Sequence, residues 1–190
     1  MAKRVMVVIA ALAMGLVPVS RAAGQDLTLG IKFGLAIDDS DYSGLPYEIK
    51  NDLGATYGLR LGVQRGHFGI EVNYGHGERS LTPTPEAPPE LEATSSRLNS
   101  LSFNLLYYPF PKATLQPYLT VGYAYFRVNV DGYDEDRTSG FNAGAGLNLL
   151  VLRHISLTLE ARYQWVDFVL AEQPFDARTW ASTLGVNYHF

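Results

Sequence analysis

Few side chains in this 190-residue sequence have types that suit catalysis or metal binding, because it contains four histidines and no cysteine. The absence of cysteine excludes thiolate metal sites, and no two histidines have the spacing of metal ligands on one helix face. One nucleophile and one base lie close together, at Ser156 and His154, with Glu160 following. A triad requires these groups within hydrogen-bond reach of one another. Glycines at 144 and 146 form no phosphate loop, because no helix pattern follows them. We therefore expect no catalytic, cofactor or metal site.

The elements that must position these residues are strands, because the hydrophobic period from residue 27 onward is two. In the first run, every odd position from Leu27 to Ile37 is apolar, and the residues between are small or polar. Similar runs occur at residues 55–63, 68–75, 100–107, 119–125, 141–149, 155–165 and 180–190. These eight strands of about nine to twelve residues are long enough to cross a bilayer when tilted. No stretch after residue 24 approaches the ~18 to 20 apolar residues of a membrane-spanning helix.

The predicted connections alternate in length. Long ones cover residues 38–52, 76–97, 129–138 and 167–178, and short ones cover 64–67, 109–116 and 151–154. Sixteen of the 19 acidic residues fall in the long connections, which carry a formal charge of −11. An even number of strands with long loops on one side predicts an all-β fold, an eight-stranded antiparallel up-and-down transmembrane β-barrel with both termini in the periplasm. The acidic loops either serve solubility or bind divalent cations or a basic partner.

The N-terminal residues have the order of a secretory signal peptide. Lys3 and Arg4 precede an uncharged apolar run at 5–17, and small residues follow at Ser20, Ala22 and Ala23. We expect residues 1–23 to be removed and residues 24–190 to form the barrel domain. Removal changes the formal charge from −4 to −7, so nucleic acid is not an expected partner.

The inward phase of the strands carries charged residues. They are Lys32, Arg60, Glu71, Glu160 and Arg162. An eight-stranded barrel is only wide enough to be filled by side chains, so the lumen should be plugged and polar. Charges in such an interior must be paired. We predict a structural ion-pair network that joins the two glutamates to some of the three basic residues; a proton or ion path is the alternative.

Aromatic residues cluster at the strand ends. Beside the long loops are Tyr74, Tyr125, Phe141, Trp165 and Trp180, and beside the short turns are Phe68, Tyr107, Phe110, Tyr188 and Phe190. Aromatic rings favour membrane interfaces, so this sorting predicts two aromatic belts on either side of an apolar band.

Segments 116–125, 140–146, 156–163 and 184–190 resemble the eight-stranded outer-membrane barrel family that includes OmpA-like and OmpX-like domains and opacity-type proteins. The resemblance implies the bacterial outer membrane as location, with its lipid and lipopolysaccharide as surroundings. It also implies that the barrel assembly machinery reads the last strand, which ends in Phe190 after Tyr188. No peptidoglycan-binding domain follows Phe190, so that OmpA function is not expected.

The main functional hypothesis is a non-enzymatic, monomeric barrel that displays its acidic loops to an unknown extracellular ligand or supports envelope integrity. One alternative is a lipid A-modifying enzyme, because a lipid A deacylase family of similar size uses a His-x-Ser pair and a glutamate, as at His154, Ser156 and Glu160. That chemistry belongs at the outer leaflet, whereas His154 is predicted at a periplasmic turn. The other alternative, a soluble lipocalin-like carrier, needs an apolar lumen and a polar exterior.

Overall fold

The chain folds into nine strands in the computed structural model, which describes residues 26–38, 47–48, 54–83, 94–130, 136–170 and 173–190. The strands are β1 Asp26–Asp38, β2 Tyr47–Glu48, β3 Gly54–Arg65, β4 Phe68–Pro83, β5 Thr94–Tyr107, β6 Leu115–Val130, β7 Asp136–Leu152, β8 Ile155–Leu170 and β9 Gln173–His189. Within these ranges no helix has the length and apolar character to cross a membrane. The predicted signal peptide lies outside the described residues, and so does a part of each of the four predicted long loops.

Eight of the strands form a closed antiparallel barrel. The order is β1, β3, β4, β5, β6, β7, β8 and β9, and β9 pairs again with β1. The two-residue strand β2 pairs with the end of β4, where Tyr47 lies opposite Pro83. A closed barrel has no edge strand, so each wall strand bonds to a neighbour on both sides, as hydrocarbon surroundings require. The predicted eight-stranded up-and-down barrel is confirmed.

The two faces of the wall have opposite polarity. Among the described residues, fourteen polar or charged side chains are buried but only six hydrophobic ones. Large apolar side chains point outward instead; Ile70 is 66% exposed and Leu184 is 64% exposed. This is the reverse of a soluble carrier, which would bury its apolar residues and expose its polar ones.

Short connections lie at one end of the barrel, at residues 66–67, 108–114 and 153–154. Gly66, the first residue of a two-residue turn, has a φ of 59°. Two-residue hairpins favour glycine at this place because their backbone twist matches that of the strands only with positive φ. The predicted short turns are therefore present, each within two residues of its expected bounds.

The strands are longer than predicted. Those of the barrel wall have 12 to 17 residues, so the expected nine to twelve was wrong. Two-residue periodicity marks only the part of a strand with one apolar face, whereas backbone pairing continues beyond it. Some acidic residues assigned to the loops consequently lie in strands: Asp38, Glu48, Glu78, Asp136, Asp167 and Asp176.

Candidate functional site in the barrel lumen

Four charged residues meet inside the barrel, and three strands position them. Arg60 lies on β3, Glu71 on β4, and Glu160 and Arg162 lie two residues apart on β8, so that they share its inner face. In the β3–β4 register, Glu71 is opposite Gly62, the next inward position after Arg60. Each of the four side chains is at most 9% exposed.

The four side chains form a closed ring of ion pairs, here called the ion-pair ring. Nε of Arg60 lies 2.7 Å from Oε2 of Glu71, and Nη2 of Arg60 lies 2.8 Å from Oε2 of Glu160. Nη2 of Arg162 lies 2.9 Å from Oε1 of Glu160 and 3.3 Å from Oε1 of Glu71. Each carboxylate thus contacts both guanidinium groups, and the formal charges of the ring cancel.

Tyr118 completes the ring, although sequence analysis missed it. Its hydroxyl donates to Oε2 of Glu160 at 2.8 Å, while Nη2 of Arg60 lies 3.4 Å from the same hydroxyl. The tyrosine ring packs on Gly146, its cross-strand partner, and a Cβ there would collide with that ring. The sequence did offer a signal for it. Side chains alternate between the two faces of a strand, and Tyr118 lies two residues before the inward Thr120 of β6, so it faces inward as well.

Lys32, the fifth predicted member, is not part of the ring. It lies on the inner phase of β1 and is half-buried. Within the described residues, no carboxylate lies within 4.0 Å of its ammonium group. Arginines contact both glutamates of the ring, so Lys32 adds one positive charge beside a ring that is neutral by itself.

A second polar cluster lies at the turn end of the lumen. Nε2 of His189 forms a 2.8 Å hydrogen bond with Oγ of Ser156, and Nδ1 lies 3.0 Å from Oδ2 of Asp26. This is the contact order of a serine–histidine–aspartate triad. A nucleophile must be reached by its substrate, however, and Ser156 is 0% exposed. The contacts instead link β1, β8 and β9.

The residues of the deacylase hypothesis are not brought together. Nδ1 of His154 bonds to the backbone carbonyl oxygen of His189 at 2.8 Å, and Ser156 pairs with His189 instead. Glu160 is held by the two ring arginines. In the described part of the chain, no group of three or more histidine, aspartate or glutamate side chains could hold a metal ion.

The predicted aromatic residues point outward, with Tyr74 half-buried and the others at least 43% exposed. Those on the turn side lie at strand ends or in a turn, as predicted, but those on the loop side lie five to nine residues inside the loop ends of their strands, because the strands continue beyond the apolar pattern. Beside the turns, the Phe68 and Tyr107 rings are 5.5 Å apart. Beside the loops, Trp165 and Trp180 both pack on Tyr163, which sequence analysis did not include. Tyr163 occupies an outward position of β8, so the two-residue alternation of that strand could have identified it.

A closed barrel with an apolar exterior and a charged interior narrows the possible families to outer-membrane proteins. The family model described as outer membrane protein beta-barrel domain matches residues 9–190. The chain belongs to this family. It is therefore a protein of the bacterial outer membrane, where lipid surrounds the barrel. No curated protein sequence matches it significantly.

Solved structures share the fold at low sequence identity. Neisserial surface protein A aligns with a TM-score of 0.62 and 17% identity, covering 88% of this chain and 98% of the other. OprG from Pseudomonas aeruginosa aligns at 0.60 and 14%, covering 88% and 96%. Ail of Yersinia pestis, in complex with the heparin analogue sucrose octasulfate, aligns at 0.57 and 13%, covering 88% and 100%. At these identities the likeness supports the fold alone.

Proposed function

We propose that this outer-membrane barrel is a non-enzymatic, monomeric protein whose lumen is plugged and whose loops act at the cell surface. The observation that carries the proposal is the ion-pair ring, which crosses the lumen with every charged group in contact with an opposite charge. A solute could pass only by breaking these buried pairs, at a cost of several kcal/mol, on the order of 3 to 5 for one pair.

The small size of the cavities in the lumen supports the proposal that the lumen is plugged. A cavity of about 30 Å³ touches Arg60 and Glu71 and extends to His189 at the turn end. A second, of about 70 Å³, touches Glu160 and Arg162 and extends toward the loop ends of the strands. The ring residues thus line the inner ends of two separate small cavities.

Planar bilayer recording tests the plug. We expect the refolded protein to give no steady ion current. The variant combining Arg60→Ala with Glu71→Ala removes one guanidinium and one carboxylate without changing net charge, and it should give small current steps once heat-modifiable gel mobility has shown that it is folded. A steady current from the unaltered protein would contradict the plug.

The surface role rests on charge. The sequence gives the predicted loops a formal charge of −11, which favours divalent cations bridging to lipopolysaccharide, or a basic ligand. The heparin analogue bound by Ail is a polyanion, which this loop charge would repel. For assembly, we propose that the outer-membrane assembly machinery recognises the last strand through Phe190, which is 51% exposed.

A further inference from the structure

The lumen on the loop side of the ion-pair ring contains a cavity of about 70 Å³. Lys32 lines it, and the cross-strand neighbours of Lys32 are Gly58 on β3 and Gly185 on β9. Neither glycine has a side chain that could pair with Lys32, and the open space beside Lys32 is the cavity itself. A water needs roughly 10 to 15 Å³ of such space, so the cavity has room for a few waters or one compact ion.

No carboxylate of the described residues forms an ion pair with Lys32 in this cavity. The ion-pair ring is neutral by itself, and both oxygens of each glutamate contact arginine nitrogens. Two carboxylates line the cavity: Arg60 and Arg162 hold that of Glu160, and the side chain of Glu78 is 65% exposed. The Lys32 ammonium is therefore a surplus cation in the interior, and such a charge is costly without a counterion.

A second donor in the cavity wall lacks an acceptor. Arg162 lines the cavity and is 4% exposed, and its Nε has no hydrogen-bond partner among the described residues. Oδ1 of Asn73, also in the wall, is unpartnered as well. That amide oxygen can accept a hydrogen bond, but it cannot balance the charge of Lys32.

We propose that this cavity binds one compact monovalent anion, a halide or a short carboxylate, between the Lys32 ammonium and Nε of Arg162. The anion supplies both the missing countercharge and the missing acceptor. Hydroxyl groups of Ser100, Ser102 and Thr183 line the same cavity and can donate to it. The site lies on the loop side, from which an anion in the medium would enter.

Urea unfolding in zwitterionic phospholipid vesicles tests the site, with tryptophan fluorescence as the readout. Chloride or acetate replaces a bulky organic sulfonate at constant ionic strength, so that only the fit of the anion changes. We expect the small anions to raise the unfolding midpoint until they saturate. An anion at about 100 times its Kd multiplies the folding equilibrium constant about 100-fold.

Two variants make the test specific. Lys32→Met should abolish the dependence on small anions and, without them, should unfold at higher urea than the unaltered protein, because the surplus charge is gone. Lys112→Met, at an exposed position in the turn at 108–114, should keep the full dependence. The same dependence in the Lys32 variant, or none in the unaltered protein, would overturn the proposal.

Crystals soaked in bromide provide a direct observation. An anomalous peak within contact distance of Nζ of Lys32 supports the site. Bromide found at exposed arginines alone would mean an adventitious ion only, and would overturn it.

Discussion

Replacing Glu160 with glutamine is the most informative perturbation of the ion-pair ring. The carboxylate accepts contacts from Arg60 at 2.8 Å, Arg162 at 2.9 Å and Tyr118 at 2.8 Å. Glutamine has nearly the same shape but no charge, and one of its terminal atoms is a donor. That donor must face a guanidinium or a hydroxyl that previously donated to an oxygen.

The expected loss of stability follows from these contacts. After the change, two buried arginines share the single carboxylate of Glu71, and Lys32 adds a third positive charge nearby. Breaking a buried pair by removing one partner costs about 3 to 5 kcal/mol, because a charge remains without compensation. With a urea m-value of about 2 kcal/mol/M, the unfolding midpoint should fall by roughly 1.5 to 2.5 M.

The assay is equilibrium urea unfolding in phospholipid vesicles, and Glu78→Gln is the matched control. The Glu78 side chain is 65% exposed and lies 3.9 Å from Nε of Arg97, so its pair is worth about 0 to 1 kcal/mol. The control should move the midpoint by less than about 0.5 M.

Equal shifts for Glu160→Gln and Glu78→Gln would falsify the stabilising role of the ring. A double variant adds a second check: Arg162→Met together with Glu160→Gln should cost less than the sum of the two single changes. Additive costs would mean that the two side chains do not interact, against their 2.9 Å contact.

Two further predictions concern assembly and the loops. Phe190→Ala should lower the amount of folded protein in the outer membrane several-fold. Phe110→Ala, which changes another exposed aromatic residue beside the turns, should not lower it. Equal amounts of the two variants in membrane fractions would argue against recognition of the last residue. Replacing Glu86, Glu90 and Glu92 together with glutamine should weaken the binding of a fluorescent polycation to cells that display the barrel; unchanged binding would separate the acidic loops from surface interaction.

Much of the fold could be predicted from sequence, because lipid imposes a simple rule on each strand. Leu29 and Ile31 face outward because hydrocarbon surrounds the barrel, and Arg60 and Glu71 face inward for the same reason. The phase of each residue within a strand therefore identified the lumenal charges.

The contacts between these charges depend on the register of neighbouring strands and on the stagger between distant ones. The alternation of polar and apolar residues along one strand gives information about neither. Arg60 on β3 and Glu160 on β8 are not on neighbouring strands, so only the closed barrel shows their contact. The same holds for Ser156, whose partner is His189 rather than the nearby His154. The ends of the strands were misjudged because they continue beyond the lipid-facing pattern.

The hydrogen bond between Asp26 and His189 joins residues 163 positions apart in the chain. It lies at the seam between β1 and β9, the first and last strands of the wall. Until the final strand is in place, β1 has an unpaired edge, and hydrocarbon offers nothing to bond with it. The barrel can therefore close only after the last strand has reached the membrane. A chain truncated within β9 should not form a closed barrel there.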